Sequence, residues 1–312
     1  MRAGGYAMDP RTAKPGFTPG YDLVGVVEST GPMTESPSDV IKVGDTVASM
    51  SVIGAHSTHT VLPLADLIKV NADNDFIKVS ALPLNYMTAY GMLTRSAFPV
   101  TYTTQSILIG SVAGGVGTAL AQVAKLLFPD LRLFGTCSPC KFEMVQSLDV
   151  TPIDRNIDSR DLPAKIRDLN EGNGIDIAYE ATGSEANLRA SLAATKVDIG
   201  KVIAIGLMAN IKSDGSGMDV KFDPVKFTAE NAERMSFFSV TNHYWRAQRE
   251  VFKRDFEDVM LKGVRKGTLE PFIGRVFRLE EKVKVDEMLA GGVGAKGKLV
   301  YVVDEKLWER QK

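Results

Sequence analysis

One stretch constrains the fold of this 312-residue chain more than any other. The apolar run Ile107-Leu108-Ile109 enters a glycine turn, Gly110-Ser111-Val112-Ala113-Gly114-Gly115, and a helix-patterned segment follows at once. Within Val116–Leu127, the residues Leu120, Val123, Ala124 and Leu127 recur at i, i+3, i+4 and i+7, which draws one buried stripe along a helix. A buried strand, a tight turn and an amphipathic helix make the first half of a βαβ unit.

The neighbouring sequence repeats the pattern. Apolar runs predict strands at Ser106–Gly110, Leu131–Gly135, Ile175–Glu180 and Lys201–Gly206, separated by helix-like stretches, which is the signature of a doubly wound parallel sheet. Residues 1–90 differ: they are rich in Gly, Pro, Thr and Val, and Asp22–Val27, Asp45–Ala48 and Thr60–Leu62 read as short strands of a mostly β unit. After residue 245 come a predicted helix, Gln248–Lys262, and a closing strand, Lys298–Val303. Lys212–Asp219 reads as an exposed loop. The expected organisation is a β domain over 1–90, a parallel α/β domain over 91–245, and a segment over 246–312 that returns to the first domain.

Composition removes several function classes. Hydrophobic residues make up 44% and charged residues 24%, an ordinary globular profile. With 37 basic against 38 acidic residues, no net field favours nucleic acid or an anionic membrane, and no apolar run is long enough to cross a bilayer. Met1–Tyr6 lacks the apolar core of a secretory signal, and two cysteines cannot make a disulfide framework. A cytoplasmic enzyme is the expected class.

The glycine turn carries the chemistry. Gly114 and Gly115 keep side chains away from a bound pyrophosphate, and Gly117 lets the helix lie close to the strand. The helix N-terminus then presents free N–H groups and its positive end to the phosphates. Val112 stands where the GxGxxG template has its first glycine, so a ligand-free turn is the alternative. Cofactor choice is read about 20 residues further on, where NAD sites place an acid against the ribose diol. Here Phe134-Gly135-Thr136-Cys137-Ser138 contains no acid, while Lys141 and Arg155 follow. Absent repulsion and nearby cations favour a 2′-phosphate, hence NADPH; the alternative for each cation is a solvated surface position.

Six segments in order resemble one family, the zinc-independent, zeta-crystallin-like quinone oxidoreductases of the medium-chain dehydrogenase/reductase superfamily. They are Pro19–Val27, Val43–Val47, Leu82–Tyr90, Ala113–Gly117, Gly135–Lys141 and Gly297–Val300. The resemblance implies a Rossmann doubly wound parallel sheet joined to a GroES-like β-barrel domain. It implies that Ala113, Gly114, Gly115, Val116 and Gly117 hold the pyrophosphate, and that Ser138 and Lys141 contact the 2′-phosphate. Arg155 falls near a family tyrosine and could do the same work. Tyr6 and Thr88 would border the reacting nicotinamide, with Phe238, Ser239 and Val240 lining that side. Relatives of this kind are commonly homodimers.

Two departures follow from the same comparison. Tyr21 occupies the place of a zinc-binding histidine, and no four-cysteine lobe is present, so no metal is expected. The family's first β-hairpin region, roughly 45 to 60 residues against ordinary domain lengths, has no counterpart before Met1. Its absence is expected to leave the β domain truncated, with strand edges exposed.

Other constellations are weaker. Cys137-Ser138-Pro139-Cys140 has dithiol spacing but lies beside the expected adenosine phosphate. His56 and His59, three apart in an extended segment, would face opposite sides and not share a metal. His243, next to Tyr244 and Trp245, reads as aromatic packing, with catalysis as the alternative. The expected reaction is NADPH-dependent hydride transfer to a quinone or an α,β-unsaturated carbonyl in an interdomain cleft. An enoyl-thioester reductase and a non-catalytic NADPH-binding protein are the alternatives.

Overall fold

The computed structural model describes residues 16–31, 41–207, 209, 221–291, 297–305 and 309. The described residues divide into two compact units, one within Thr88–Ala247 and the other within Gly16–Met87 and Gln248–Lys312.

The first unit is a six-stranded, all-parallel Rossmann sheet. Its strands are β4 (Ser106–Ile109), β5 (Arg132–Cys137), β6 (Thr151–Asp154), β7 (Ile177–Glu180), β8 (Lys201–Ala204) and β9 (Met235–Phe237). The spatial order is β6-β5-β4-β7-β8-β9, so the winding reverses at β4. Strand pleating divides the apolar residues between two faces. Leu108, Phe134, Ala178 and Val202 are in register on one face, where they meet Leu162, Ile166 and Leu188 in a shared core. Helices Leu162–Leu169 and Glu185–Ala194 supply those last three side chains. Ile107, Ile109, Leu133, Tyr179 and Ile203 point to the other face and are equally buried. The expected helix runs over Gly115–Leu127 and buries Leu120, Val123 and Ala124, three of its four predicted stripe positions.

The second unit holds an antiparallel sheet of β1 (Leu23–Val26), β2 (Thr46–Ser49) and β3 (Ile68–Lys69), in that order. A parallel pair, β10 (Ile273–Arg278) and β11 (Lys298–Val302), stands beside it in the chain's last segment. Thr60–Leu62 is not a strand: Val61 is 97% exposed, so its side chain has nothing to pack on, and Ile68–Lys69 pairs with β2 instead. The helix predicted over Gln248–Lys262 continues to Lys266 through a π-helical stretch, Phe256–Leu261, and stops at Gly267 in the left-handed conformation. Among the described residues strand β1 pairs on one side only, with β2, and with β11 it lines an open cavity of about 1160 Å³. Lys298 joins the two small sheets through a 2.7 Å ion pair to Asp22, both largely buried. Asp22 also accepts from the Leu84 N–H, so its carboxylate is not left uncompensated. The Lys212–Asp219 loop lies outside the described residues.

The contact that sets the glycine turn on the sheet joins Val112 and Gly135, far apart in sequence but adjacent in space. Val112 is fully buried, and its side chain fills the space above Gly135 on β5. A Cβ on Gly135 would lie 2.6 Å from the Val112 Cβ. Gly135→Ala is therefore expected to lower stability by roughly 1–3 kcal/mol, the usual range for overpacking. Adding Val112→Ala should recover part of that loss, read as non-additivity in a thermal double-mutant cycle.

Candidate active site

The site grows from the turn after β4. Ser111 adopts φ 56°, a left-handed conformation rare outside glycine, and two hydrogen bonds to β5 hold it there. The Ser111 N–H donates to Thr136 Oγ1 at 3.1 Å, and the Val112 N–H donates to the Thr136 carbonyl at 3.0 Å. Helix Gly115–Leu127 then packs onto the turn at Gly117, where a Cβ would meet the Ser111 carbonyl oxygen and the Val112 backbone at 2.6 Å. Any side chain at Gly117 would push the helix away from the strand.

The first turn of this helix has no side-chain cap, because its N-cap is Gly114. Among the described residues, no acceptor meets the N–H groups of Gly115, Val116 and Gly117. Ala113 and Gly117 are buried, Gly115 and Val116 half-buried, and Gly114 exposed. The arrangement is a row of unsatisfied donors at the positive end of a 13-residue helix, the chemistry that a pyrophosphate requires.

One strand over, three more expected residues converge. Ser138 follows β5 and heads the short turn Pro139–Lys141 without capping it through its side chain. The Arg155 N–H donates to the Cys137 carbonyl at 2.9 Å, which brings the residue after β6 alongside the end of β5. Lys141 and Arg155 both act electrostatically on the Cys137 thiol, so the two cations and Ser138 share one corner of the sheet. Asp154 is the acid in that corner, and it is turned into its own loop by accepting from the Asn156 N–H. Burial pushes the Cys137 thiol up from its ordinary value, with Lys141 opposing, and Cys140 is exposed. A raised thiol is the wrong chemistry for a reactive dithiol.

On the far side of the sheet lie the residues expected near the reacting end. Phe238 and Val240 are buried, and Ser239 is half-buried at the head of a π-helical turn, Val240–Arg246. Thr88, only 7% exposed, lies in helix Met87–Thr94, and Gly91 of that helix takes the Phe238 ring where a Cβ would otherwise stand, 2.6 Å away. Thr88 and Phe238–Val240 thus belong to one neighbourhood, apart from the Ser138–Lys141–Arg155 corner. Tyr6 lies outside the described residues. His243 does more than pack: its ring meets Phe238 edge-on at 6.0 Å, and its Nδ1 accepts the Ser239 N–H at 3.2 Å.

Glu180 was not anticipated. It ends β7, is 2% exposed, and its carboxylate accepts from the Thr182 N–H, the Thr182 hydroxyl and the Gly183 N–H at 2.6–2.9 Å. These bonds curl the loop after β7 tightly enough that Gly183 and Gly206 touch backbone. The signal was present in the sequence as an acid closing an otherwise apolar strand just before a glycine. His56 and His59 do not meet on a metal. His59 pairs with Glu28 at the surface, while His56 packs its ring edge-on against Tyr301 at 4.9 Å.

Comparison with known proteins fits this geometry. The family model described as zinc-binding dehydrogenase matches residues 115–253. The synaptic vesicle membrane protein VAT-1 homolog of Danio rerio is 34% identical over 174 residues, covering 55% of this chain and 34% of that protein. The chain thus aligns with about one third of the length of that relative. Human quinone oxidoreductase is 26% identical over 304 residues, covering 97% of this chain and 84% of that protein. Among solved structures, Escherichia coli quinone oxidoreductase complexed with NADPH superposes with a TM-score of 0.72 at 20% identity, covering 91% of this chain and 82% of that one. The chain is thus similar to zinc-binding dehydrogenases over residues 115–253 and to quinone oxidoreductases over nearly its whole length.

The second unit of this chain offers a direct test of packing through pH. Burial lowers the His56 imidazole to about 4 from 6.5, with Lys282 adding to the effect. The unfolded chain then binds more protons than the folded one between these values, so stability is full above pH 6.5 and falls as pH drops toward 4. His56→Phe, which keeps a ring against Tyr301, is expected to flatten this part of the melting-temperature profile.

Proposed function

We propose that this protein is an NADPH-dependent oxidoreductase that reduces a quinone or an α,β-unsaturated carbonyl compound without a metal. The observation that carries the reading is the uncapped first turn of helix Gly115–Leu127, with Ser138, Lys141 and Arg155 gathered one strand away. The two features fit the pyrophosphate and the 2′-phosphate of one dinucleotide. The site fits that cofactor by its donors: backbone N–H groups for the bridging phosphates, and a hydroxyl with two cations for the terminal one. When bound, the nicotinamide supplies the hydride, and the protein's work is to orient two reactants and hold water out.

Each residue then has a part. Gly114 leaves room for the phosphates, Gly115, Val116 and Gly117 donate to them, and buried Ala113 seats the turn. Lys141 and Arg155 select the phosphorylated ribose, because the strand end beside them carries no acid at the ribose position. Thr88, Phe238, Ser239 and Val240 form the nicotinamide side. No helix among the described residues is long and apolar enough to cross a membrane. We read the protein as a cytoplasmic homodimer, and its molar mass in solution checks the second part of that statement.

Fluorescence titration tests the reading. NADPH is expected to bind about tenfold tighter than NADH or better, and Lys141→Ala to weaken NADPH about tenfold while leaving NADH nearly unchanged. Equal affinity for both nucleotides would remove the phosphate assignment. Tight NADPH binding with no oxidation in the presence of quinones, enones or enoyl thioesters would make the chain a nucleotide-binding protein instead.

A further inference from the structure

Glu180 closes β7 with a side chain that the phosphate seat does not use, although it is only 2% exposed. Its carboxyl oxygens are filled by the loop that follows. The Thr182 N–H and hydroxyl donate to Oε1 at 2.9 and 2.6 Å, and the Gly183 N–H donates to Oε2 at 2.6 Å. The Thr182 hydroxyl oxygen in turn accepts from the Asn187 side-chain amide at 3.0 Å, in the first turn of helix Glu185–Ala194. Burying a carboxyl group is costly unless its oxygens find donors, and here satisfying them fixes three donors of one short loop.

The loop is fixed from its neighbours as well. The Ile205 N–H donates to the Glu180 carbonyl at 2.9 Å, and the Ala209 N–H donates to the Thr182 carbonyl at 2.8 Å. Gly183 adopts φ 76° and lies against the Gly206 carbonyl, where a side chain on either glycine would collide. On the opposite flank is the start of the glycine turn. The Gly110 N–H donates to the Tyr179 carbonyl at 2.8 Å, and a Cβ on Gly110 would lie 3.4 Å from the Ala181 nitrogen and 3.6 Å from the Glu180 Cα. Past this point the two segments part. Ser111 and Val112 turn to Thr136 on β5, while Thr182 and Gly183 turn back onto Glu180. The parting falls where the winding of the sheet reverses, and open α/β sheets take their ligands in the crevice that such a reversal opens.

We propose that Glu180 is a positioning residue for the nicotinamide half of the cofactor, because it holds Ala181–Gly183 as the wall of that crevice facing the glycine turn. This rests on the NADPH reading above. In that reading the adenosine phosphate lies at the ends of β5 and β6, and the pyrophosphate lies at the start of helix Gly115–Leu127. The loop after β7 stands on the other side of β4 from the adenosine corner, so it serves the half of the dinucleotide beyond the pyrophosphate. Glu180 is buried and acts through the loop backbone rather than on the ligand. A wall fixed in advance lowers the ordering cost of binding and restricts the bound ring to one orientation.

The test uses Glu180→Gln and Thr182→Val. The first keeps the side chain's size but turns an NH₂ group toward donors that need an acceptor. The second removes only the hydroxyl bond and leaves the carboxyl group in place. Each variant is titrated with NADPH and with adenosine 2′,5′-bisphosphate, which carries the 2′-phosphate and lacks the nicotinamide half. NADPH is expected to bind about tenfold more weakly to Glu180→Gln and about threefold more weakly to Thr182→Val. Affinity for the bisphosphate is expected to stay at the wild-type value in both, which a general loss of structure would not allow. Should Glu180→Gln not fold, Thr182→Val decides by the same two titrations. A ratio of the two affinities equal to that of the wild type, through unchanged binding or equal losses, would overturn the role of Glu180 and leave the NADPH reading standing. A wild-type chain that fails to bind either the dinucleotide or the bisphosphate would overturn both.

Discussion

The Rossmann unit depends on the packing of Val112 over Gly135 and of Gly117 under the same turn. Two glycines, one on a strand and one on a helix, remove side chains where the backbone of the β4 turn must pass. Val112 then fills the remaining space as a fully buried residue. This explains how a branched side chain can occupy the first glycine position of the dinucleotide motif. Close approach is still met by a glycine, but on β5 rather than in the turn. With the turn so held, the uncapped first N–H groups of helix Gly115–Leu127 are fixed in place by the fold itself.

Two buried carboxylates, Glu180 in one unit and Asp22 in the other, are held by hydrogen bonds. Glu180 is nearly inaccessible, yet each carboxylate oxygen accepts at least one bond, and those bonds shape the loop beside the turn. Asp22 is satisfied by Lys298 and the Leu84 N–H. Removing one partner of such a group leaves an uncompensated charge, which costs about 3–5 kcal/mol in comparable buried pairs. Both carboxylates are therefore tied to backbone geometry rather than to loose surface pairing. The Asp176 carboxylate follows the same logic at the start of the sheet, where Lys196, Ser106 and the Gln105 N–H hold it below the usual range despite burial.

Much of the fold was legible in local pattern. Strands β4, β5, β7 and β8 are continuous apolar runs because both faces of a parallel sheet are covered, and such runs announce themselves. Strands β3, β9 and β10 did not. The first two have only two and three residues, and β10 (Ile-Gly-Arg-Val-Phe-Arg) mixes arginines with apolar residues without a strict period, so each is recognised only by its partner. Thr60–Leu62 failed for the opposite reason: it has strand-forming residues and no surface to bury them on.

By itself the sequence determined the strand–turn–helix unit, the glycines of its turn and the absence of an acid at the end of β5. Each of these resides in residues close together along the chain, where propensity and spacing suffice. Tertiary structure alone decided the strand order, the meeting of Arg155 with the end of β5, the use of Gly135 as the partner of Val112, and the Nδ1 bond that orients His243. The strand order, the Arg155 contact and the Val112–Gly135 contact join segments that sequence places apart, and the His243 bond depends on one local turn geometry among several. Periodicity carries no record of either.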